Sequence, residues 1–122
     1  MKSKKNQERT VLVVDDEDVL LPHFLEEKGY FVVNYKTGAS ALDNIRQGLR
    51  YNLAIIDLAL EEDTFDGIDV INESRRVNPH IPIISMSAYN FKPEGALVHH
   101  DKAADDGTKG LLSLVDTVLK NK

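Results

Sequence analysis

Four short runs of mostly apolar residues recur along the chain, separated by stretches with a different periodicity. The first run, TVLVV, is β-branched and unbroken by polar residues, which is typical of a strand buried on both faces. The other three runs have a similar length and character. We therefore predict strands at Thr10–Val14, Tyr30–Tyr35, Leu53–Ile56 and Ile81–Met86.

The stretches between these runs carry apolar residues at helical spacing. Gly29 and Pro79 follow two of the stretches, at positions where each residue would end a helix. The aromatic residues Phe24, Tyr30 and Phe31 are expected in the core. The predicted helices cover Asp18–Lys28, a segment from a cap at Thr37 or Ser40 through Ile45 and Leu49, and Gly67–Val77.

The C-terminal third of the chain allows two interpretations. One places a helix at Lys92–Ala103 and a fifth strand at Asp105–Lys109, although Asp and Gly disfavour a half-buried strand. The other has a very short helix near Asn90–Glu94 and a fifth strand at Gly95–His100, and we prefer it. A last helix follows, which Thr108 could cap. Its apolar stripe consists of Leu111, Leu114, Val115 and Val118.

The alternation of strands and helices predicts a three-layer α/β domain with a doubly wound, parallel, five-stranded sheet. We expect the flavodoxin-like strand order 2-1-3-4-5, with an atypical short fourth helix. Residues 10–122 would form this domain behind a polar N-terminal tail at residues 1–9. A length of 122 residues suits a single core.

Composition narrows the functional classes. The net charge of -5 makes direct nucleic-acid binding unfavourable, since phosphate backbones repel an acidic surface. The sequence has no cysteine, which excludes disulfides and thiolate metal sites. No apolar stretch approaches the roughly 20 residues of a membrane helix, and no apolar segment follows the basic tail as in a secretory signal. We expect a cytoplasmic protein without direct nucleic-acid or membrane binding.

Polar side chains follow three of the apolar runs, at the strand ends where open parallel sheets bind ligands. Asp15 and Asp16 follow the first run, Asp57 the third and Ser87 the fourth. In the expected strand order these runs are adjacent, so three carboxylates and a hydroxyl would converge. Crowded carboxylates must either stay partly protonated or bind a cation, and Mg²⁺ prefers such oxygen ligands. A carboxylate could then attack phosphorus, with a lysine and a hydroxyl binding the phosphoryl oxygens.

Four segments in combination resemble the receiver domains of two-component response regulators. They carry an acidic pair, a strand-terminal Asp and a strand-terminal Ser-Ala in the order and at the intervals of that family. The likeness extends over nearly the whole chain from Thr10. The segments are VLVVDDE (Val11–Glu17), NLAIIDLAL (Asn52–Leu60), FDGIDVI (Phe65–Ile71) and IPIISMSAY (Ile81–Tyr89).

This resemblance implies a role for each matching residue. Asp57 would be the phosphoacceptor, Asp16 a direct Mg²⁺ ligand and Asp15 a ligand acting largely through water. Asp57 and the carbonyl of Ala59 would also contact the metal, and Ser87 would be the switch hydroxyl. The donor would be a phosphohistidine on a sensor histidine kinase or a phosphotransfer protein. The domain would not itself be an enzyme, and its signal would pass to an unknown output partner.

The position of the family's lysine after the fifth strand is ambiguous in this sequence. Lys102 follows the credible strand and is our choice, with Lys109 as the alternative. Lys92 comes too soon after the fourth strand. The position three residues before Lys102, where the family has an aromatic switch residue, holds His99. The loop at residues 58–67 is unusually long and acidic.

Two alternative functions use the same fold. A pseudo-receiver would bind its partner constitutively and never be phosphorylated, which the unusual fifth-strand region motivates. A Mg²⁺-dependent phosphatase with an aspartyl intermediate usually has a second Asp two residues after the nucleophile, but that position holds Ala59. We rank the phosphorylation-controlled switch first and the phosphatase last.

Overall fold

A parallel sheet with helices on both faces forms the molecule. The computed structural model describes residues 9–16, 20–60, 66–88, 92–102 and 107–120. The strands lie side by side in the order β2-β1-β3-β4-β5, so the predicted fold class and strand order are confirmed. In chain order the elements are β1 (Thr10–Val14), α1 (Leu20–Glu27), β2 (Phe31–Tyr35), α2 (Gly38–Arg46), β3 (Leu53–Asp57), α3 (Gly67–Val77), β4 (Ile83–Ser87), β5 (Val98–Asp101) and α4 (Gly107–Lys120).

Side chains of the sheet alternate between two apolar layers, because successive strand residues point to opposite faces. One layer packs the sheet against α1 and α4, with Leu25 and Val115 among its fully buried members. The other layer packs the sheet against α2 and α3, and Ile45 and Ile71 are among its fully buried members. Strands β1, β3 and β4 are buried almost throughout, which explains their continuous apolar sequences.

The three aromatic residues that were predicted to lie in the core differ in how deeply they are buried. Tyr30 is buried and Phe24 is half-buried. The prediction for Phe31 is wrong, since 60% of it is exposed. Phe31 begins the edge strand β2 and lies on the opposite face from Val32, which packs against the layer under α1 and α4.

Helix ends follow local hydrogen bonding. Thr37 caps α2, as predicted, with its hydroxyl oxygen accepting from the Ser40 amide at 3.1 Å. Asp66 caps α3 in a reciprocal arrangement with Asp69, which the sequence prediction did not include. Thr108 lies within α4, which begins at Gly107, so its predicted role as the cap is wrong.

The connection between β4 and β5 departs from the regular alternation. Residues 92–97 form a turn and not a helix, while residues 90 and 91 of the predicted short helix lie outside the described residues. The Ala96 amide donates to the Pro93 carbonyl, and Gly95 has a φ of 94°, as in a type II turn. Because Gly95 and Ala96 belong to this turn, the fifth strand starts at Val98 and not at Gly95.

The rejected interpretation of this region is wrong in the structure. It placed a helix over Lys92–Ala103, where β5 occurs, and a strand over Asp105–Lys109, which overlaps the start of α4.

Arg75 of α3 connects the turn at residues 92–97 to the rest of the domain through hydrogen bonds. One guanidinium nitrogen, Nη1, donates to the carbonyls of Pro79 at 2.8 Å and Ile81 at 2.6 Å. The other, Nη2, donates to the Gly95 carbonyl at 2.5 Å. A planar fork of donors joins two chain segments that are distant in sequence, and this arrangement fixes the path into β5.

The variant Arg75→Lys is expected to lower the free energy of unfolding by about 1–3 kcal/mol, because a single ammonium does not span three carbonyls. Urea denaturation followed by circular dichroism measures the change. Arg76→Lys is the matched control on the same helix, since Arg76 forms an exposed ion pair with Glu73. Equal losses in the two variants would contradict the role given to Arg75.

Candidate functional site

The carboxyl ends of the central strands bring the predicted polar residues to one edge of the sheet. Asp15 follows β1, Asp57 ends β3 and Ser87 ends β4. Backbone hydrogen bonds continue past the strand ends, from the Leu58 amide to the Met86 carbonyl at 2.9 Å and from the Lys102 amide to the Ser87 carbonyl at 2.8 Å. The edge that carries the functional groups is therefore part of the rigid sheet.

Three carboxylates meet at this edge. One oxygen from each of Asp15, Asp16 and Asp57 lies within 4.8 Å of the others. Asp15 and Asp57 are 1% and 4% exposed, and Asp16 is half-buried. Carboxylate oxygens are ligands that hard divalent cations prefer, so this donor set fits a Mg²⁺-type ion.

Lys102 supplies a positive charge within the cluster. Its Nζ lies 2.8 Å from Oδ2 of Asp57 and 3.9 Å from Oδ2 of Asp15. Three ionised carboxylates and one ammonium have a formal charge of -2 (-3 + 1). A divalent cation would neutralise that charge.

The Asp57 carboxylate is held at both oxygens. Oδ2 accepts from Lys102, and Oδ1 accepts from the backbone amide of Ala59 at 2.9 Å. Burial raises the pKa of Asp57, and the nearby charge of Asp15 adds to that effect. The hydrogen bonds from Lys102 and Ala59 lower the pKa, but the net shift is upward. The ionised form of Asp57 is thus less favourable in the folded protein than in water.

Gly67 allows α3 to approach the end of β3. A Cβ atom at position 67 would lie 2.1 Å from the carbonyl oxygen of Asp57 and 2.7 Å from Cα of Leu58. Only glycine fits this close backbone approach. From the sequence alone, Gly67 is only the start of a predicted helix. Its place after Asp66, at the end of the acidic loop, gives no separate signal for the contact.

Ser87 is buried near this edge and is hydrogen-bonded to β5. Its Oγ lies 3.1 Å from Nε2 of His99, and Nδ1 of the same ring lies 2.7 Å from Oγ of Ser85. From the sequence alone, Ser85 is only a residue of the predicted fourth strand. A polar side chain within an otherwise apolar buried strand was the available signal.

The structure separates the candidate lysines. Lys102 reaches Asp57, whereas Lys109 is exposed on α4. Lys92 donates to the Ala96 carbonyl within the turn. Residues 61–65, which include the acidic residues Glu61, Glu62 and Asp63, lie outside the described residues, as does Glu17 beside the acidic pair.

Comparison with known proteins identifies the family. The sequence model of the response regulator receiver domain matches residues 11–110. The chain belongs to the response-regulator receiver domains. It is a receiver domain of the two-component type, and its acidic pocket suits phosphorylation and metal binding.

Curated relatives of this receiver domain are longer proteins. The transcriptional regulatory protein ZraR of Klebsiella oxytoca is 34% identical over 83 residues, which are 66% of this chain and 18% of ZraR. The probable transcriptional regulatory protein TcrX of Mycobacterium tuberculosis is 28% identical over 98% of this chain and 51% of TcrX. The chain therefore spans about half or less of the length of these relatives.

Solved structures share the fold of this receiver domain. A CheY-like receiver domain protein from Methanospirillum hungatei has a TM-score of 0.78 at 22% identity, over 93% of this chain and 94% of that one. The receiver domain of a sensor histidine kinase from Pseudomonas aeruginosa has a TM-score of 0.73 at 21% identity, over 89% and 95%. That structure has a magnesium ion coordinated in its active site cleft.

Within the described ranges of the present chain, no helix has the length and apolarity needed to cross a membrane.

Without divalent cations, Asp57→Asn is expected to raise the melting temperature at neutral pH. The folded-state pKa of Asp57 lies above its ordinary value of 3.8, so the wild type loses stability as pH rises from that value through the folded pKa. The increase in melting temperature from the variant should develop as pH rises through this range and should be absent in more acidic solution.

Thermal denaturation in a chelator across that pH range measures the effect. Asp43→Asn, on the exposed face of α2, controls for removal of a surface charge. A gain that does not depend on pH, or a loss at neutral pH, would contradict the assigned cause.

Proposed function

We propose that Asp57 accepts a phosphoryl group in a Mg²⁺-dependent reaction, and that the domain acts as a phosphorylation-controlled protein-interaction switch. The observation that carries the proposal is the surroundings of Asp57. Its buried carboxylate lies with two further acids within 4.8 Å and with the Lys102 ammonium at 2.8 Å. These groups supply an acceptor, a metal site and a cation for the incoming phosphoryl oxygens.

Asp57 would act as the nucleophile. The bonds from Ala59 and Lys102 fix the plane of its carboxylate and so limit the directions of attack. One carboxylate oxygen forms a bond to phosphorus as the P–N bond to a donor phosphohistidine breaks. The bonding electron pair returns to the imidazole, which leaves as the neutral histidine after protonation.

The metal ligands would be Asp15, Asp16, Asp57 and the carbonyl of Ala59. Mg²⁺ bound there supplies positive charge that offsets the repulsion between the carboxylate and the phosphoryl oxygens. The magnesium in the receiver domain of the Pseudomonas aeruginosa sensor kinase supports this choice of ion. Asp16, which is more exposed than Asp15, suits a direct ligand that solvent and phosphate also reach.

Lys102 and Ser87 would bind the transferred group. Lys102 already contacts the acceptor oxygen at 2.8 Å, and an ammonium at this position stabilises the charge on the phosphoryl oxygens. Ser87 is the last residue of the neighbouring strand β4, and its hydroxyl would donate to another phosphoryl oxygen. Lys109, exposed on α4, is the weaker candidate.

Partners follow from this chemistry. The donor would be a sensor histidine kinase or a phosphotransfer protein, and an output protein would recognise the state in which Ser87 contacts the phosphoryl group. The relatives ZraR and TcrX, which are transcriptional regulatory proteins, support a signalling role. The domain itself would be a phosphoacceptor in the cytoplasm and not an enzyme with a separate substrate.

Incubation with Mg²⁺ and acetyl phosphate should add one phosphoryl group to the wild type, measured by intact-protein mass. Asp57→Asn should remain unlabelled, because an amide is a far weaker nucleophile than a carboxylate. Asp43→Asn is the matched control and should label like the wild type. Equal labelling of Asp57→Asn would contradict the assignment, and an unlabelled wild type would favour the constitutive binding module.

Magnesium alone should stabilise the fold. At ten times its dissociation constant, a ligand that binds only the folded state adds about 1.4 kcal/mol to the free energy of unfolding. Asp16→Asn should remove most of this gain, since it deletes a charged metal ligand, whereas Asp43→Asn should retain it. Chemical denaturation with and without Mg²⁺ makes the comparison. A gain of the same size in Asp16→Asn would place the ion elsewhere.

A further inference from the structure

We propose that Arg75 is a positioning residue that sets the register of β5 on β4 and so holds Lys102 beside Asp57. It acts from α3, through the turn at residues 92–97. The consequence for phosphorylation rests on the proposed function of Asp57. The register of β5 does not depend on that reaction.

The register matters because Lys102 directly follows β5. A strand rises by about 3.3 Å per residue, so a slip of two residues would move the Lys102 backbone by about 6.6 Å along β4. A displacement of that size would separate Lys102 Nζ from Asp57 Oδ2, which are 2.8 Å apart. The place of the ammonium in the site therefore depends on where β5 begins.

The side chains of β5 specify its register only weakly. The strand has four residues and lies at the edge of the sheet, where it pairs with β4. Val98 and His100 face the same apolar layer, the first half-buried and the second buried. A slip of one residue would reverse the faces, but a slip of two would keep each side chain on its own face. A contact from outside the strand is needed to exclude that slip.

Arg75 supplies such a contact, since it joins the chain just before β4 to the chain just before β5. Its Nη1 donates to the carbonyls of Pro79 at 2.8 Å and Ile81 at 2.6 Å, and β4 begins at Ile83. Its Nη2 donates to the carbonyl of Gly95 at 2.5 Å. One rigid guanidinium thus fixes the approaches to two paired strands relative to each other.

Packing on the same helix supports this arrangement. Ile71 lies one turn before Arg75 on α3, and a Cβ atom at Gly95 would lie 3.0 Å from Ile71 Cγ2. Two side chains of α3 therefore hold Gly95, one by a hydrogen bond and one by contact. Two residues later, the Leu97 amide donates to the Ile83 carbonyl at 2.8 Å and starts the ladder between the strands.

Amide hydrogen exchange followed by NMR tests the register. In Arg75→Lys, the amides of Leu97 and Lys102, at the two ends of the β5 ladder, should exchange at least about tenfold faster than in the wild type. This is the effect of losing one hydrogen bond from a charged donor. The Leu58 amide, which donates to the Met86 carbonyl between β3 and β4, should change much less. Equal acceleration at Leu58 and Lys102 would indicate a general loss of stability and would overturn the proposal.

A double-mutant cycle tests the link to the reaction. Arg75→Lys should slow labelling by acetyl phosphate about three- to tenfold, the range expected for weakening one hydrogen bond. Lys102→Gln should slow labelling at least as much, and the double variant should match Lys102→Gln, because Arg75 acts only through Lys102. Arg76→Lys is the matched control and should label like the wild type. Multiplying effects of the two substitutions would overturn the proposal.

Gly95→Ala keeps the test decisive if Arg75→Lys does not fold, as judged by circular dichroism. Gly95 has a φ of 94°, so alanine would be strained there and would also press on Ile71. This variant should accelerate exchange at Leu97 and Lys102 more than at Leu58, and equal acceleration would overturn the proposal.

The two proposals can fail separately. An unlabelled wild type, together with exchange that is faster only at β5 in Arg75→Lys, would defeat the proposed function alone. A labelled wild type, together with equal acceleration at Leu58 and Lys102 in that variant, would defeat this inference alone.

Discussion

Mutual repulsion among three carboxylates at one rim of the sheet is the constraint on which the rest of the site depends. Asp15 and Asp57 are nearly inaccessible to water, and Asp16 is close to both, so solvent screens their charges poorly. Lys102 offsets one charge, and the pKa of Asp57 is still raised because burial and the charge of Asp15 outweigh the hydrogen bonds from Lys102 and Ala59. A divalent cation is the simplest species that would neutralise the remaining negative charge. A phosphoryl group would bring oxygens that the same cation and lysine can bind.

The fold creates this constraint because its central strands are parallel. Neighbouring parallel strands end at the same edge of the sheet. Residues far apart in sequence, such as Asp15, Asp57 and Lys102, therefore lie close together there. Ladder hydrogen bonds from the residues that follow β3 and β5 hold the backbone, and the missing Cβ of Gly67 lets α3 reach the end of β3. Stability and the proposed function are thus opposed at Asp57, where burial disfavours the charge that the proposed reaction uses.

The sequence was sufficient to predict the sheet, its order and the convergence of the acids. Unbroken apolar runs identify buried strands, and whatever follows such a run must lie at the same edge. Details that depend on contacts between distant segments were not predictable. The turn before β5 is fixed by Arg75, which donates to carbonyls at Pro79, Ile81 and Gly95, and nothing in the local sequence of the turn indicates that arginine. The bridge from His99 to two serines likewise depends on the register of β5 against β4.

The most direct measurement of the central claim is paramagnetic broadening of backbone amide signals by trace Mn²⁺, a hard divalent ion that substitutes for Mg²⁺. The account predicts that signals of Asp16, Asp57 and Ala59 broaden first and that excess Mg²⁺ restores them. Equal broadening at the exposed acid Asp43, or no protection by Mg²⁺, would contradict a cation site at this rim.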